Sequence, residues 1–479
     1  MQIRSPDSRE RSQTSIVVAM ILLLMSVGSA GARQLPVTLT GSVETAAVER
    51  IVLPEVNVAA LEAEDEVRDS AFTPGPVRFA APIAAAYSTE NSGIWQQLDD
   101  GSRLWRLQIH SPRALSLNLG LDRFELPAGA EFWIFAPDGS GAQGPYTKSN
   151  KNAVGGLWTA VVIGEEMIVE LRVPGSKNAT IEISSVNHGY RFIGEREALI
   201  PTKRGACNVN VVCPEGDPWR DQIRSVAGIS ISGTYLCTAQ LVNNTAEDLT
   251  PYMLTAQHCV EQSSDAPTVV AYWNFQSPTC SDAAGGSLSQ NQSGSTFVSS
   301  SEYETGSDFT LLELDDQPQP SFNVYYSGWD ARDQLASATT VIHHPSGDEK
   351  SISFDYDPPT VTSLGGSASP GDGGYLRVAD WDVGTTEAGS SGSCLFNSTS
   401  KRCVGTLSAG YAACGNDEPD WFGWVHAHWM GEGSSATRLS DWLDPGNTGV
   451  MTWGGTNSRF IFADGFETGN TSVWSRTVP

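Results

Sequence analysis

The chain has 479 residues, enough for two or three domains with cores of their own. Its formal net charge is −26, which argues against nucleic-acid binding and favours long-range attraction of cationic substrates. Only 18% of residues are charged and 47 are glycine, a composition that suits a strand- and loop-rich secreted protein better than a helical one.

The first 32 or so residues read as a secretory signal. Arg4, Arg9 and Arg11 precede an apolar core from Ile16 to Val27, and Ala30-Gly31-Ala32 offers a small-residue cleavage site, with Gly28-Ser29-Ala30 as a second. The apolar run is short for a membrane span, and no later stretch approaches ~20 consecutive apolar residues. The expectation is a signal at 1–32 and a secreted product that makes no further use of a membrane, passing through the periplasm if the cell is Gram-negative.

Residues 33–204 differ in character from the C-terminal half of the chain. The stretch 33–75 is acidic and rich in Ala and Val, and reads as extended or partly helical. Beyond it Trp105, Leu107 and Ile109 share one face, as do Leu115, Leu117, Leu119 and Leu121. Phe132-Trp133-Ile134-Phe135 ends in the turn Pro137-Asp138-Gly139, and Leu157-Trp158 and Met167 to Val173 read as further strands. Short strands with such turns predict a β-sandwich, either a carbohydrate-binding module or a folding chaperone removed on maturation. Pro201-Thr202-Lys203-Arg204-Gly205 favours the second: it is a dibasic linker suited to cleavage at Lys203 or Arg204.

All eight cysteines, Cys207, Cys213, Cys237, Cys259, Cys280, Cys394, Cys403 and Cys414, lie C-terminal to that linker. An even number behind a signal reads as disulfides in an oxidising compartment. No C-x-x-C pair points to zinc, and no cofactor or metal is expected.

The motif that organises this region is Glu387-Ala388-Gly389-Ser390-Ser391-Gly392-Ser393. Glycines around serines suit a tight turn that presents a hydroxyl and bare backbone N–H groups, although most Ser-Gly stretches are plain loops. A serine hydroxyl needs a base to become a nucleophile. His258, in Leu254-Thr255-Ala256-Gln257-His258-Cys259, ends an apolar strand, and Cys237 on a neighbouring strand can staple it through Cys259. Asp308 opens the apolar strand Phe309-Thr310-Leu311-Leu312-Glu313-Leu314, where a lone carboxylate needs a partner or caps a turn. His343-His344 is a poor chelate, because neighbours in a strand point to opposite faces, and reads as structural. His426 and His428 read as packing residues sharing a strand face.

With these residues in hand, the chain resembles the trypsin-like serine proteases of the chymotrypsin fold, and more narrowly the bacterial lysyl endopeptidases. The resemblance spans about Cys207 to Pro445 and includes Cys213-Pro214-Glu215-Gly216-Asp217, Tyr272-Trp273-Asn274, His343-His344-Pro345 and Arg438-Leu439-Ser440-Asp441-Trp442-Leu443-Asp444-Pro445. Leu104-Trp105-Arg106-Leu107 and Gly156-Leu157-Trp158-Thr159 resemble the pro-region of that family. The resemblance implies an all-β protease domain at 205–455 made of two six-stranded antiparallel barrels, a short helix near Asp441-Trp442-Leu443, and a tail at 456–479. That tail, with Phe460-Ile461-Phe462 and Trp474, reads as a sorting tag or a stray strand.

In that resemblance Ser391 is the nucleophile, His258 the base and Asp308 its orienting carboxylate. Gly389 and Ser391 supply the oxyanion hole. Trypsin carries its pocket carboxylate six residues before the nucleophile, where this chain has Thr385. Lysyl endopeptidases carry theirs after the last cysteine, which points to Asp420, with Asp417 and Glu418 read as solvated competitors. Ser408-Ala409-Gly410 stands where the substrate backbone pairs. The family has histidine at the place of Ser408 and a tryptophan near Leu364, so arginine is expected as well as lysine before the cleaved bond. Ser390 replaces the aspartate that captures the freed N-terminus in many trypsin-like enzymes. The disulfides implied are Cys207–Cys414, Cys213–Cys280 and Cys237–Cys259; Cys394 and Cys403, left over, flank the turn at Asn397-Ser398-Thr399-Ser400-Lys401 and are geometrically suited to pair. The partners expected are protein or peptide substrates with a basic residue and the chain's own propeptide, on a monomer. The rival classes are an inactive relative acting as a binder or adhesin, and a serine esterase.

Overall fold

Strand-forming residues with alternating burial build four main sheets along the chain. The computed structural model describes residues 35–41, 48–69, 72, 74–191, 193, 205–281 and 285–458. The signal segment 1–32, the dibasic pair Lys203-Arg204 and the tail beyond residue 458 lie outside them. No helix of the described residues is long and apolar enough to cross a membrane.

In the N-terminal region one sheet runs Glu49–Val52, Arg103–His110, Glu166–Val173, Glu131–Phe135, Gln143–Tyr146, and the other Val162–Ile163, Ser116–Glu125, Thr180–Gly189, Ala80–Ser88. Trp105, Leu107 and Ile109 of the first face Leu117, Leu119 and Leu121 of the second in one buried core. Leu115 precedes its strand and is only half-buried, so the shared face begins at Leu117. The sandwich follows from period-two alternation, which sends every second apolar residue to the same side. The stretch before it contains a helix, Val58–Asp69, whose Ala-, Leu- and Glu-rich sequence favours that state. Asn57 Oδ1 accepts from the Ala60 N–H at its start, at 3.3 Å.

The cysteine-bearing region forms two further sheets, of eight and ten strands. The first runs Asn291–Ser293, Val270–Trp273, Val226–Ile231, Tyr235–Leu241, Tyr252–Thr255, Phe309–Leu314, Ser295–Ser301. The second runs Val209–Asn210, Ser351–Asp355, Thr339–His343, Cys394–Asn397, Cys403–Gly410, Asp420–Trp424, Tyr375–Val378, Thr360–Thr362. Each has six strands of four or more residues, the double-barrel plan expected, and short strands enlarge both. Separate apolar cores fill the two sheets, and a third, around Trp219, Trp329 and Phe309, lies between them. The helix Ser440–Leu443 falls where the sequence places it. Thr456–Asn457 pairs with Tyr325–Tyr326, so the first residues past 455 are a strand.

One expectation fails. His426 and His428 do not share a strand face, because the chain leaves the strand Asp420–Trp424 directly into the helix Val425–Met430.

An apolar cluster joins the N-terminal region to the eight-stranded sheet: Phe79, Ala160 and Val161 pack with Leu236, Tyr272 and Phe275. The strand Val77–Arg78 adds to the edge of Tyr235–Leu241. Asp65, fully buried, holds the helix Val58–Asp69 to that strand, accepting from Arg78 Nε at 2.9 Å and Tyr190 Oη at 2.6 Å. Arg191 completes the cluster at 2.9 Å. The N-terminal sandwich itself depends on Trp105, which is fully buried and donates its indole N–H to Ser92 O at 2.7 Å. Trp105→Ala is expected to destabilise it by about 3–5 kcal/mol, measured by denaturant titration, whereas the exposed Val154→Ala leaves the midpoint unmoved.

Candidate active site

The site is built on Asp308. The residue sits just before the strand Phe309–Leu314 with φ +60°, a left-handed conformation that an aspartate tolerates better than most side chains. Its carboxylate is fully buried. Oδ1 accepts from the backbone N–H of Gln257 at 2.8 Å and of His258 at 3.1 Å, and Oδ2 lies 2.8 Å from His258 Nδ1. Burial alone would disfavour the charged form, but the His258 ring, the Ser408 hydroxyl and the His258 N–H outweigh it and hold the carboxyl below its usual range. The pairing fixes the ring with Nε2 pointing away from Asp308, and Nε2 is buried with no protein partner among the described residues.

Two groups support this pair: Thr406, which the sequence does not single out, and His428, which it offers only as a packing residue. Thr406 donates its hydroxyl to Asp308 O at 3.1 Å and lies 3.0 Å from His428 Nε2. With that hydroxyl committed, His428 Nε2–H must donate to Thr406, leaving Nδ1 to accept from Ser307 Oγ at 2.7 Å. His428 is therefore neutral, and burial pushes its pKa down to about 3. No local pattern announces it, since its two partners lie in other strands and turns.

The turn 387–393 joins the same structure through Thr238, the neighbour of Cys237. Thr238 N donates to Ser391 O at 2.8 Å, its hydroxyl to Gly389 O at 3.0 Å, and its carbonyl accepts from Thr255 Oγ1 at 2.9 Å. Thr255 stands three residues before His258, so the serine turn and the histidine turn are clamped together. Gly389 has φ +92°, and the N–H groups of Gly389 and Ser391 have no hydrogen-bond partner among the described residues. Ser390 is fully buried, its hydroxyl 2.7 Å from His343 Nδ1. His343 thus props the turn from below, and His344 stacks on Phe275 at 5.6 Å, consistent with structural roles for the pair.

Ser391 opens into a cavity of about 600 Å³ also lined by Thr386, Ser408, Ala409, Gly410 and Asp420. Asp420 is 1% exposed and forms no ion pair among the described residues. Its Oδ2 accepts from Trp381 Nε1 and Thr386 Oγ1, both at 2.7 Å, and burial against those bonds pushes its pKa up to about 6. Gly410 admits the carboxylate, since a Cβ there would stand 1.6 Å from Asp420 Oδ1. Asp417 and Glu418 are exposed outside this group, and Thr385 is buried with its carbonyl bonded to Ser353. Trp381 and Thr386 are the partners that sequence reasoning did not name.

Four disulfides frame the site: Cys207–Cys414, Cys213–Cys280, Cys237–Cys259 and Cys394–Cys403. The His258 ring lies within 4.8 Å of the sulfurs of Cys237 and Cys259, but these are bonded to each other and form no metal-ligating set with it.

The N-terminal region lines the cavity too, through Arg68, Asp69, Phe72, Pro74, Gly75 and Val77.

Comparison with known proteins adds three findings. A family model described as "Lysyl endopeptidase, C-terminal domain" matches residues 202–423, and one described as "Lysyl endopeptidase N-terminal domain" matches residues 52–188. A lysyl endopeptidase of Pseudomonas aeruginosa is 27% identical over 357 residues, covering 67% of this chain and 72% of the relative. Among solved structures, a Glu endopeptidase aligns over 47% of this chain and 93% of its own at 16% identity and a TM-score of 0.29. A thermostable serine protease from an extremophilic microorganism aligns over 43% and 92%, at 14% identity and a TM-score of 0.30.

The buried acid gives a signed prediction. Its folded pKa of about 6 lies above the ordinary value of 3.8, so the energetic cost is absent below about pH 4 and fully present above pH 6. Asp420→Asn is therefore expected to raise stability at pH 8 by on the order of 3 kcal/mol and to leave it unchanged at pH 3.5, read from thermal melts at both pH values.

Proposed function

Since the chain belongs to the lysyl endopeptidase family and is a serine endopeptidase, we propose that it is secreted as a preproenzyme and cleaves peptide bonds after lysine or arginine through His258, Asp308 and Ser391. The observation that carries the reading is the His258–Asp308 pair at 2.8 Å, clamped through Thr238 to a serine turn that opens onto a buried carboxylate with no ion pair among the described residues. Ser391 Oγ attacks the peptide carbonyl while His258 Nε2 takes its proton and later delivers it to the leaving amine. Asp308 holds the ring in that tautomer and stabilises its protonated form. The N–H groups of Gly389 and Ser391 face the oxygen that gains charge.

Asp420 supplies the preference for a cation. A buried carboxylate with no ion-pair partner among the described residues meets a substrate ammonium or guanidinium in a charge-assisted hydrogen bond, and the bound cation offsets the cost of its buried charge. A neutral side chain leaves the acid unsatisfied, which disfavours an esterase that takes uncharged acyl groups. Ser408 and Gly410 leave room beside it, in keeping with arginine as well as lysine.

Residues 33–204 act as the propeptide. Val77–Arg78 adds as a strand to Tyr235–Leu241, and Pro74 and Gly75 line the cavity with Ser391, so the region covers the cleft before maturation. Cleavage after Lys203 or Arg204 matches the enzyme's own preference. The end so created has a receptor: Gly205 N lies 2.6 Å from Glu387 Oε1, four residues ahead of Ser391, and Cys207 is bonded to Cys414.

Expression of the full chain followed by assay on matched Lys, Arg and Leu amides tests this. Lys and Arg amides are expected to be turned over and the Leu amide not. Ser391→Ala is expected to lose at least about 10⁴-fold in turnover and to remain unprocessed. The wild-type product is expected to start at Arg204 or Gly205 by N-terminal sequencing. Undiminished turnover by Ser391→Ala would refute the assignment.

A further inference from the structure

Beyond Gly410 the cavity has a wall that the cleavage chemistry does not use. Phe72 stacks on Tyr411 with ring centroids 4.8 Å apart and planes at 30°, and meets Trp421 edge-on at 5.2 Å and 85°. Trp421 is 3% exposed and its indole N–H is bonded to Gly366 O at 2.9 Å, so that ring is fixed. Gly365, at φ +69°, bounds the slot: a Cβ there would stand 2.7 Å from Phe72 Cε1. Tyr411 remains 49% exposed even with Phe72 against it, which leaves its outer edge open to solvent. Two aromatic rings at 84° to one another and a bare glycine thus define a slot shaped for a flat ring.

The course of the occupying segment gives the register. From Phe72 the chain passes Pro74 and Gly75, which line the cavity with Ser391 and Asp420, and reaches Val77, paired with Leu236 beside Cys237. It therefore crosses from the ten-stranded sheet to the eight-stranded one through the cavity holding the serine. Gly75 lines the cavity with Ser391, and we take its place as that of the residue before the reacting bond in a substrate on the same path. The side chain three residues upstream then falls at the place of Phe72. The segment itself offers glycine, not a basic residue, at the cavity, with Pro76 next in the chain.

We propose that Tyr411, Trp421 and Gly365 form an aromatic subsite of the cleft, which takes a Phe, Tyr or Trp side chain three residues ahead of the basic residue of the substrate, and that Phe72 occupies it in the intact chain. This rests on the endopeptidase reading and adds a second determinant of substrate choice to Asp420.

The test uses the protein recovered after expression of the full chain and two blocked chromogenic amides, Phe-Ala-Ala-Lys and Asp-Ala-Ala-Lys. The Phe peptide is expected to be cleaved with about tenfold or higher kcat/KM, chiefly through KM, because an aromatic contact formed equally in ground and transition states changes binding. Tyr411→Ala is expected to bring the ratio of the two close to one, and Tyr411→Phe to keep it. Equal kcat/KM for both peptides in the wild type, or an undiminished ratio in Tyr411→Ala, overturns the proposal. Failure to cleave even a blocked lysyl amide overturns the endopeptidase reading instead. The subsite is then judged by binding of the same two peptides to the full-chain Phe72→Ala variant. Tighter binding of the Phe peptide by about tenfold supports the subsite, and equal affinity overturns it.

Discussion

Two sheets of antiparallel strands meet at the carboxylate of Asp308. Its side chain receives two backbone N–H groups from the turn that carries His258, so the turn and the acid cannot move independently. Its carbonyl is held by Thr406 of the ten-stranded sheet, while its own chain continues into Phe309–Leu314 of the eight-stranded one. A charge buried this deeply is tolerated only when every lone pair has a partner. The surrounding residues meet that demand, and in doing so they set the direction of the His258 ring.

The interior repeats that principle with neutral groups. His428 and His344 are buried, and burial pushes both pKa values down to about 3, so each serves as a fixed hydrogen-bonding group and not as a charge. Lys350 Nζ, fully buried, donates to Ile223 O at 2.7 Å and Val226 O at 2.6 Å, and burial pushes its pKa down to about 7. Asp420 departs from the pattern. It is hydrogen-bonded to Trp381 and Thr386 but has no cation beside it among the described residues, and it faces a cavity. A buried acid left short of a partner is costly to the fold, and such a cost is typical of a place built to receive something.

Much of this is legible in the residues because the relevant chemistry is local. Turn-forming glycines around Ser391, apolar strands that end at His258 or begin at Asp308, and period-two alternation in the N-terminal region are all short-range signals. The helical placement of His426 and His428 is not legible in that way, because the strand Asp420–Trp424 passes into a helix without a breaker residue between them. Thr238, Thr406 and Trp381 are equally silent. Each is an ordinary side chain whose partner lies far away along the chain, and its importance exists only once the sheets have formed.

Residue order alone specifies the strand-rich class, the two regions of different character and the short motifs around His258, Asp308 and Ser391, because turns, alternation and composition act over a few residues; the disulfide pairing other than Cys394–Cys403 and the choice of Asp420 come from the resemblance to the lysyl endopeptidases. Three features arise only from packing: the residues that clamp the serine turn, the group that holds the back of Asp308, and the contact of Phe72 with Tyr411 and Trp421. Those contacts join positions 98 to 349 residues apart, and no local preference of the backbone encodes a pairing at that separation; it emerges only when tertiary packing closes the loop between them.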